Sequence, residues 1–98
     1  MSLPLISPEQ AQRMVAQGAR LIDVRSPEEF ANGRAVGAEN RPLDRLGTIG
    51  PQKPVIFMCY SGMRTCNNAE QLAGCCQAEG FILDGGFEAW RQAGLPVL

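Results

Sequence analysis

The stretch Val55-Ile56-Phe57-Met58-Cys59-Tyr60-Ser61-Gly62-Met63-Arg64-Thr65 decides the fold. Its first four residues are apolar without alternation, which suits a central parallel strand covered on both faces. Cys59 to Arg64 then make a short loop containing glycine. From about Thr65 to Cys76 the spacing predicts a helix, with Ala69, Leu72, Ala73 and Cys76 as its inward stripe. Strand, loop and helix in that order are the building unit of an α/β chain.

The same grammar repeats on both sides. Ser7-Pro8-Glu9-Gln10 offers a capping serine, proline at the first helical position and glutamine three residues after the cap. Ala11, Met14 and Val15 form an apolar stripe, and Gly18 is a stop. Arg20-Leu21-Ile22-Asp23-Val24-Arg25 reads as a strand, and Ser26-Pro27-Glu28-Glu29 repeats the helix-start signal. Ala38-Glu39-Asn40 predicts a short strand and Leu43 to Leu46 a single helical turn. Phe81-Ile82-Leu83 is the last strand; Asp84-Gly85-Gly86 turns into a helix from Phe87 to Ala93 that ends at Gly94. Phe87 and Trp90 read as core anchors, and Asp84 as a turn former. The expectation is one domain over residues 1–98, with a central parallel sheet of about five short strands and helices on both faces. Ligands of such sheets bind beyond the carboxyl ends of the strands, where the Cys59 loop lies.

Composition removes several function classes. There is no histidine, which excludes Ser–His–Asp and Cys–His catalysis and the usual zinc-enzyme ligand sets. Nine basic and ten acidic residues are scattered, so nucleic acid is not expected as a partner. No run approaches the roughly 20 apolar residues that cross a bilayer. Met1 to Pro8 lacks the basic and apolar regions of a signal peptide. Of four cysteines, Cys75 and Cys76 are adjacent and Cys59 sits in a loop, a poor disulfide framework. A reducing, cytoplasmic setting follows as an expectation, with no membrane contact from this chain, no cofactor and no metal. Nothing forces a dimer, so a monomer is expected.

Strand, loop and helix place the loop's backbone amides around a common centre, beside the free amides of the next helix. Such a nest attracts an anion, a thiolate at Cys59 included. Arg64 adds positive charge or lines the mouth for an anionic substrate. Gly62 permits a bend closed to larger residues. Ser61 and Thr65 can donate hydroxyl hydrogen bonds to a bound sulfur or oxyanion, or cap the helix. Tyr60 and Met63 are expected to flank the pocket. A buried, inert cysteine at a strand end is the competing reading of Cys59. Glu28 and Glu29 suit the positive end of their helix. Arg13, Arg20, Arg41, Arg45 and Arg91 read as solvated surface, with one or two near the pocket.

Four segments together resemble a single rhodanese domain: Leu21-Ile22-Asp23-Val24-Arg25 with Glu28-Glu29-Phe30; Gly33 to Leu43; Cys59 to Thr65; and Leu83-Asp84-Gly85-Gly86-Phe87 with Trp90 and Gly94-Leu95-Pro96-Val97. They follow the family's order and span nearly all the chain. The resemblance implies a sulfurtransferase in which Cys59 carries a sulfane sulfur as a persulfide, cradled by the amides of Tyr60, Ser61, Gly62, Met63, Arg64 and Thr65. It implies that Asp23 and Arg25 support the fold and order the loop surroundings. The segment Arg64 to Ala69 resembles bacterial members joined to a C-terminal membrane hairpin, so the chain ending at Leu98 either stands alone or is the soluble part of something longer. Where the family often has Gly-His-Ile-Pro-Gly-Ala, this chain has Gly33-Arg34-Ala35-Val36-Gly37-Ala38, which puts the local loop shape in question.

The implied donors are thiosulfate, a polysulfide or a protein persulfide; the acceptor is a thiol or cyanide. Related phosphatases carry five residues between cysteine and arginine, whereas Cys59 and Arg64 have four between them. The smaller ring suits one sulfur atom better than a phosphate. A persulfide carrier without turnover, a binding module and, further off, an arsenate reductase or phosphatase are the alternatives. Cys66 either packs against the sheet or resolves an oxidised or persulfidated Cys59 as a disulfide.

Overall fold

The structure is a computed structural model that describes residues 3–98; Met1 and Ser2, the start of the segment read for a signal peptide, lie outside the described residues. Five strands, β1 (Leu5–Ile6), β2 (Arg20–Asp23), β3 (Ala38–Asn40), β4 (Val55–Met58) and β5 (Gly80–Leu83), form one sheet in the order β1-β5-β4-β2-β3. Every pairing is parallel. β4 is the middle strand, as its unbroken apolar run predicts. β1 is the strand the sequence did not announce: two residues after Pro4 are too few to carry a period.

Helices α1 (Pro8–Ala16), α2 (Pro27–Ala31), α3 (Met63–Asn67), α4 (Ala69–Cys75) and α5 (Gly86–Gln92) connect or follow the strands, with a 3₁₀ turn at Leu43–Arg45. Alternate residues of β4 serve two cores. Ile56 and Met58 pack with Leu21, Leu83, Phe87 and Trp90 on the α1/α5 face. Val55 and Phe57 pack with Ile22, Val24, Ile49 and Leu72 on the α4 face.

Both capping boxes form as read. Ser7 and Gln10 exchange hydrogen bonds at the start of α1, and Ser26 and Glu29 do so at the start of α2. β2 ends at Asp23 rather than Arg25, because the Arg25 amide turns back onto the Asp23 side chain at 3.0 Å.

The expected single helix over residues 65–76 is two. It starts earlier, at Met63, and breaks at Asn68, whose side-chain amide donates to the Arg64 carbonyl at 2.7 Å while its backbone amide turns to Thr65. The side chain replaces a main-chain bond, and the helix axis restarts. Of the predicted stripe only Leu72 is fully buried, and Cys76 lies past the helix in extended backbone. Removing the Asn68 amide strips the Arg64 carbonyl of its partner. Asn68→Ala is therefore expected to lose about 1 kcal/mol of stability. Thermal unfolding should show a fall in Tm of about 4–8 °C; an unchanged Tm would contradict this account of the break.

Candidate active site

Cys59 follows β4 directly, with β2 and β5 on its two sides. The chain leaves β2 toward β3 at one edge and β4 toward β5 on the other side. The connections therefore diverge between β2 and β4, the place where open α/β sheets form their crevice.

Cys59 is fully buried. Its Sγ accepts a hydrogen bond from the Gly62 amide at 3.1 Å and lies 3.6 Å from Thr65 Oγ1. The Thr65 hydroxyl donates to the Gly62 carbonyl at 3.0 Å. A hydroxyl has one proton and two lone pairs, so in this pose Oγ1 faces the sulfur as an acceptor. Rotation about its C–O bond would let it donate to a thiolate instead. Gly62 has φ +94°, and an added Cβ would come within 3.1 Å of the Gly85 nitrogen, so geometry and space both require glycine.

The outer side of the loop is pinned by α5. The Phe87 amide donates to the Cys59 carbonyl at 2.8 Å and the Glu88 amide to the Tyr60 carbonyl at 2.9 Å. Peptide units are planar and trans, so a carbonyl aimed at α5 turns the next residue's N–H away from it. The Tyr60 and Ser61 amides are thus directed away from α5. Among the described residues, the amides of Tyr60, Ser61, Met63, Arg64 and Thr65 meet no acceptor. The loop thus presents five free amide donors beside the Gly62 amide, which is bonded to the Cys59 sulfur.

Asp23 and Arg25 form a buried ion pair beside the loop. Arg25 donates from Nε and Nη2 to the Asp23 carboxylate at 2.8–3.0 Å, and from Nη2 to the Gly33 carbonyl at 2.7 Å. Its guanidinium lies over the Phe87 ring, 4.6 Å from the centroid. The pair ties β2, the Gly33 segment and α5 together. That segment keeps its shape without histidine or proline: Ala35 is buried, and residues 34 and 36 pair with Leu98 and Pro96.

The Rhodanese-like domain family matches residues 7–93. The chain belongs to that family. It is 40% identical over 90 residues to the thiosulfate sulfurtransferase GlpE of Ectopseudomonas mendocina, covering 88% of this chain and 83% of that protein. The crystal structure of a rhodanese-related protein from Thermoplasma volcanium superposes with a TM-score of 0.83 at 22% identity, covering 97% of each chain. A Rhodopseudomonas palustris structure described as a possible tyrosine phosphatase gives a TM-score of 0.75 at 25% identity, covering 98% of this chain and 85% of that one. The expected α/β fold and the rhodanese-type sulfurtransferase class both hold.

Arg64 occupies a place in this rhodanese-like site that the sequence did not reveal. Its guanidinium makes a two-point pair with Glu29 of α2, both contacts at 2.9 Å. These hydrogen bonds from Arg64 hold the Glu29 carboxyl down at about 2, below the usual 4.5. Glu29 also accepts from the Ser26 amide, so one carboxylate caps α2 and fastens the Cys59 loop to it. Reading Glu29 as a helix-end charge found the cap and missed the long-range partner.

Tyr60 lines a cleft of about 260 Å³ with Arg25, Glu29, Asn32, Phe87 and Arg91. On the other flank Ser61, Met63, Cys66 and Asp84 line a second cleft of about 290 Å³. Tyr60 and Met63 therefore line different clefts beside the loop. Cys66 is exposed, which corrects its reading as a residue packed on the sheet: α3 is a five-residue turn that points Thr65, not Cys66, inward. Cys75 and Cys76 are half-buried against the α4-side core. Among the described residues no group of three histidine, cysteine or acidic side chains converges to hold a metal.

Two outcomes test this geometry. At Gly86, φ is +62° and an added Cβ would lie 2.5 Å from the Cys59 carbonyl oxygen and 2.7 Å from that of Tyr60. Gly86→Ala should cost at least about 2 kcal/mol, because these are backbone atoms and cannot yield cheaply; chemical denaturation with an unchanged midpoint would overturn it. The Glu29–Arg64 pair is over a third exposed on each side, so it contributes at most about 1 kcal/mol. Because the folded-state value is the depressed one, that contribution is whole above pH 4.5 and is lost as pH falls toward 2. Glu29→Gln should remove this acid-limb slope and leave the neutral-pH stability within the same margin.

Proposed function

We propose that this chain, acting as a single domain, moves a sulfane sulfur through a persulfide on Cys59. The Gly62 amide on Cys59 Sγ, inside a loop whose other amides are free, carries the reading. In the first step the Cys59 thiolate attacks the outer sulfur of thiosulfate, a polysulfide or a protein persulfide. The donor's S–S bond breaks, and the electron pair leaves with the remainder of the donor. In the second step a thiol, or cyanide, attacks the bound outer sulfur and releases Cys59. The cycle is covalent catalysis with ping-pong character.

The unpaired amides from Tyr60 to Thr65 stabilise the terminal sulfur of the persulfide and the charge that develops in each transfer. Dipoles aimed before the reaction need no reorganisation during it. Arg64 acts as a positioning residue: its guanidinium is taken up by Glu29, so it orders the loop by tying α3 to α2. Asp23 and Arg25 hold the wall behind the loop. Neither step needs a proton shuttle, which agrees with a chain that has no histidine. The four residues between Cys59 and Arg64 close a small ring, which favours a single sulfur atom over a phosphoryl group.

Two further parts of the reading concern surroundings. The acting thiol must stay reduced, which supports a cytoplasmic site of action. Among the described residues no helix is long and apolar enough to cross a membrane. The partners are a small sulfur-containing anion and a thiol acceptor, met by a monomer without nucleic acid. Cys66, exposed on the same short helix that starts from the loop, serves as the thiol that can resolve an over-loaded Cys59.

Intact-mass spectrometry after brief exposure to thiosulfate or polysulfide tests the reading. A cyanide-reversible gain of about 32 Da is expected on wild type and on Cys66→Ser, and none on Cys59→Ser. A folded wild type that gains no mass from any sulfane donor would sink the sulfurtransferase mechanism and bring arsenate reduction or simple binding forward. A rapid gain with slow cyanide turnover would identify a carrier.

A further inference from the structure

Three guanidinium groups stand around the Cys59 loop, and two are matched. Arg25 is neutralised by the buried Asp23 and Arg64 by Glu29. Among the described residues, Arg91 has no ion-pair partner and faces the cleft lined by Tyr60 and Phe87. Counting these five charges as two cancelled pairs plus Arg91 leaves the cleft with one uncompensated cation. Arg91 lies four residues after Phe87 on α5, hence on the same helix face, with its guanidinium 6.0 Å from the ring centroid. The Phe87 amide holds the Cys59 carbonyl, so one short segment sets both the cation and the nucleophile's peptide.

We propose that Arg91 docks the anionic, non-transferring end of a small sulfur donor on the Phe87 wall of this cleft; the assignment rests on the sulfurtransferase reading above. A guanidinium offers paired donors to a sulfonate-type group, and its stacking on an aromatic face limits the conformations it must give up on binding. The donor is then a small dianion with an oxyanion at one end and the transferable sulfur at the other. Cys59 Sγ bonds to that outer sulfur, the S–S bond breaks, and the electron pair departs with the sulfonate sulfur as sulfite. Arg91 touches the same oxygens before and after this step. It therefore binds ground state and transition state alike, and its loss should appear in KM and leave kcat in place. The nearby Glu29 carboxylate, already committed to Arg64, does not compete for it.

The test compares thiosulfate with 2-hydroxyethyl hydrodisulfide, whose non-transferring end is uncharged. For Arg91→Gln, KM for thiosulfate should rise about tenfold, the worth of one charge-assisted contact. The hydrodisulfide KM should stay within about twofold, and Arg91→Lys, which keeps the charge but loses the paired donors and the stacking, should restore only part of the thiosulfate KM. Equal losses for both donors, or no change for thiosulfate, would overturn the assignment while leaving the persulfide mechanism intact. A second arm titrates thiosulfate into Cys59→Ser by NMR, with and without Arg91→Gln. Weaker binding in the double variant, beside a wild type that takes sulfur from no donor, would keep the docking role and fail the sulfurtransferase reading. Unchanged binding in the double variant would reject the docking role whatever the turnover shows.

Discussion

The contact on which the site depends is the backbone seam between α5 and the Cys59 loop. Two amides at the start of α5 take the carbonyls of Cys59 and Tyr60, at 2.8 and 2.9 Å. Once those carbonyls face α5, planarity leaves the following amides on the other side and without an acceptor. The loop thus becomes a collection of donors, where an arbitrary turn would present a mixture of donors and acceptors. The seam closes only because Gly86 brings no Cβ to a place 2.5 Å from the Cys59 oxygen. A turn at one strand end therefore sets the electrostatics of the loop at the next.

Charge is arranged so that these backbone dipoles are not outcompeted. A buried ion pair such as Asp23–Arg25 is weak evidence for stability, since desolvation offsets the attraction. Its value here is geometric: every buried side-chain nitrogen and oxygen among the described residues has a partner, and the guanidinium reaches from β2 to Gly33 and Phe87. The half-exposed Glu29–Arg64 pair ties the other side of the loop to α2. Both pairs occupy an arginine that would otherwise stand unpaired beside the loop amides.

Much of this was legible in the sequence wherever the signal is local. Two capping boxes and the apolar run of β4 each act over four residues and formed where they were read, while the Cys59 loop and the Asp84-Gly85-Gly86 turn formed shorter, the helices after them starting at Met63 and Gly86. The losses came from two sources. Elements too short for a period left no trace, as with the two residues of β1. Pairings between distant residues were invisible too: Glu29 with Arg64, and Arg91 beside Tyr60, join segments whose proximity exists only once the sheet order is known. The break at Asn68 is an intermediate case. An asparagine in a helical pattern announces competition for backbone groups, yet which carbonyl it takes depends on the turn already built.

The missing histidine follows the same logic. A nucleophile that must be deprotonated during turnover needs a base beside it, and such a base would bring a second titrating charge into a ring only six residues long, from Cys59 to Arg64. An amide nest supplies fixed partial positive charge without taking up a proton of its own. On the persulfide mechanism proposed above, the free amides of Tyr60, Ser61, Met63, Arg64 and Thr65 offer more donors than one sulfur uses. On that mechanism, the excess of donors over the single Gly62 bond to the resting cysteine is what receives the transferred atom.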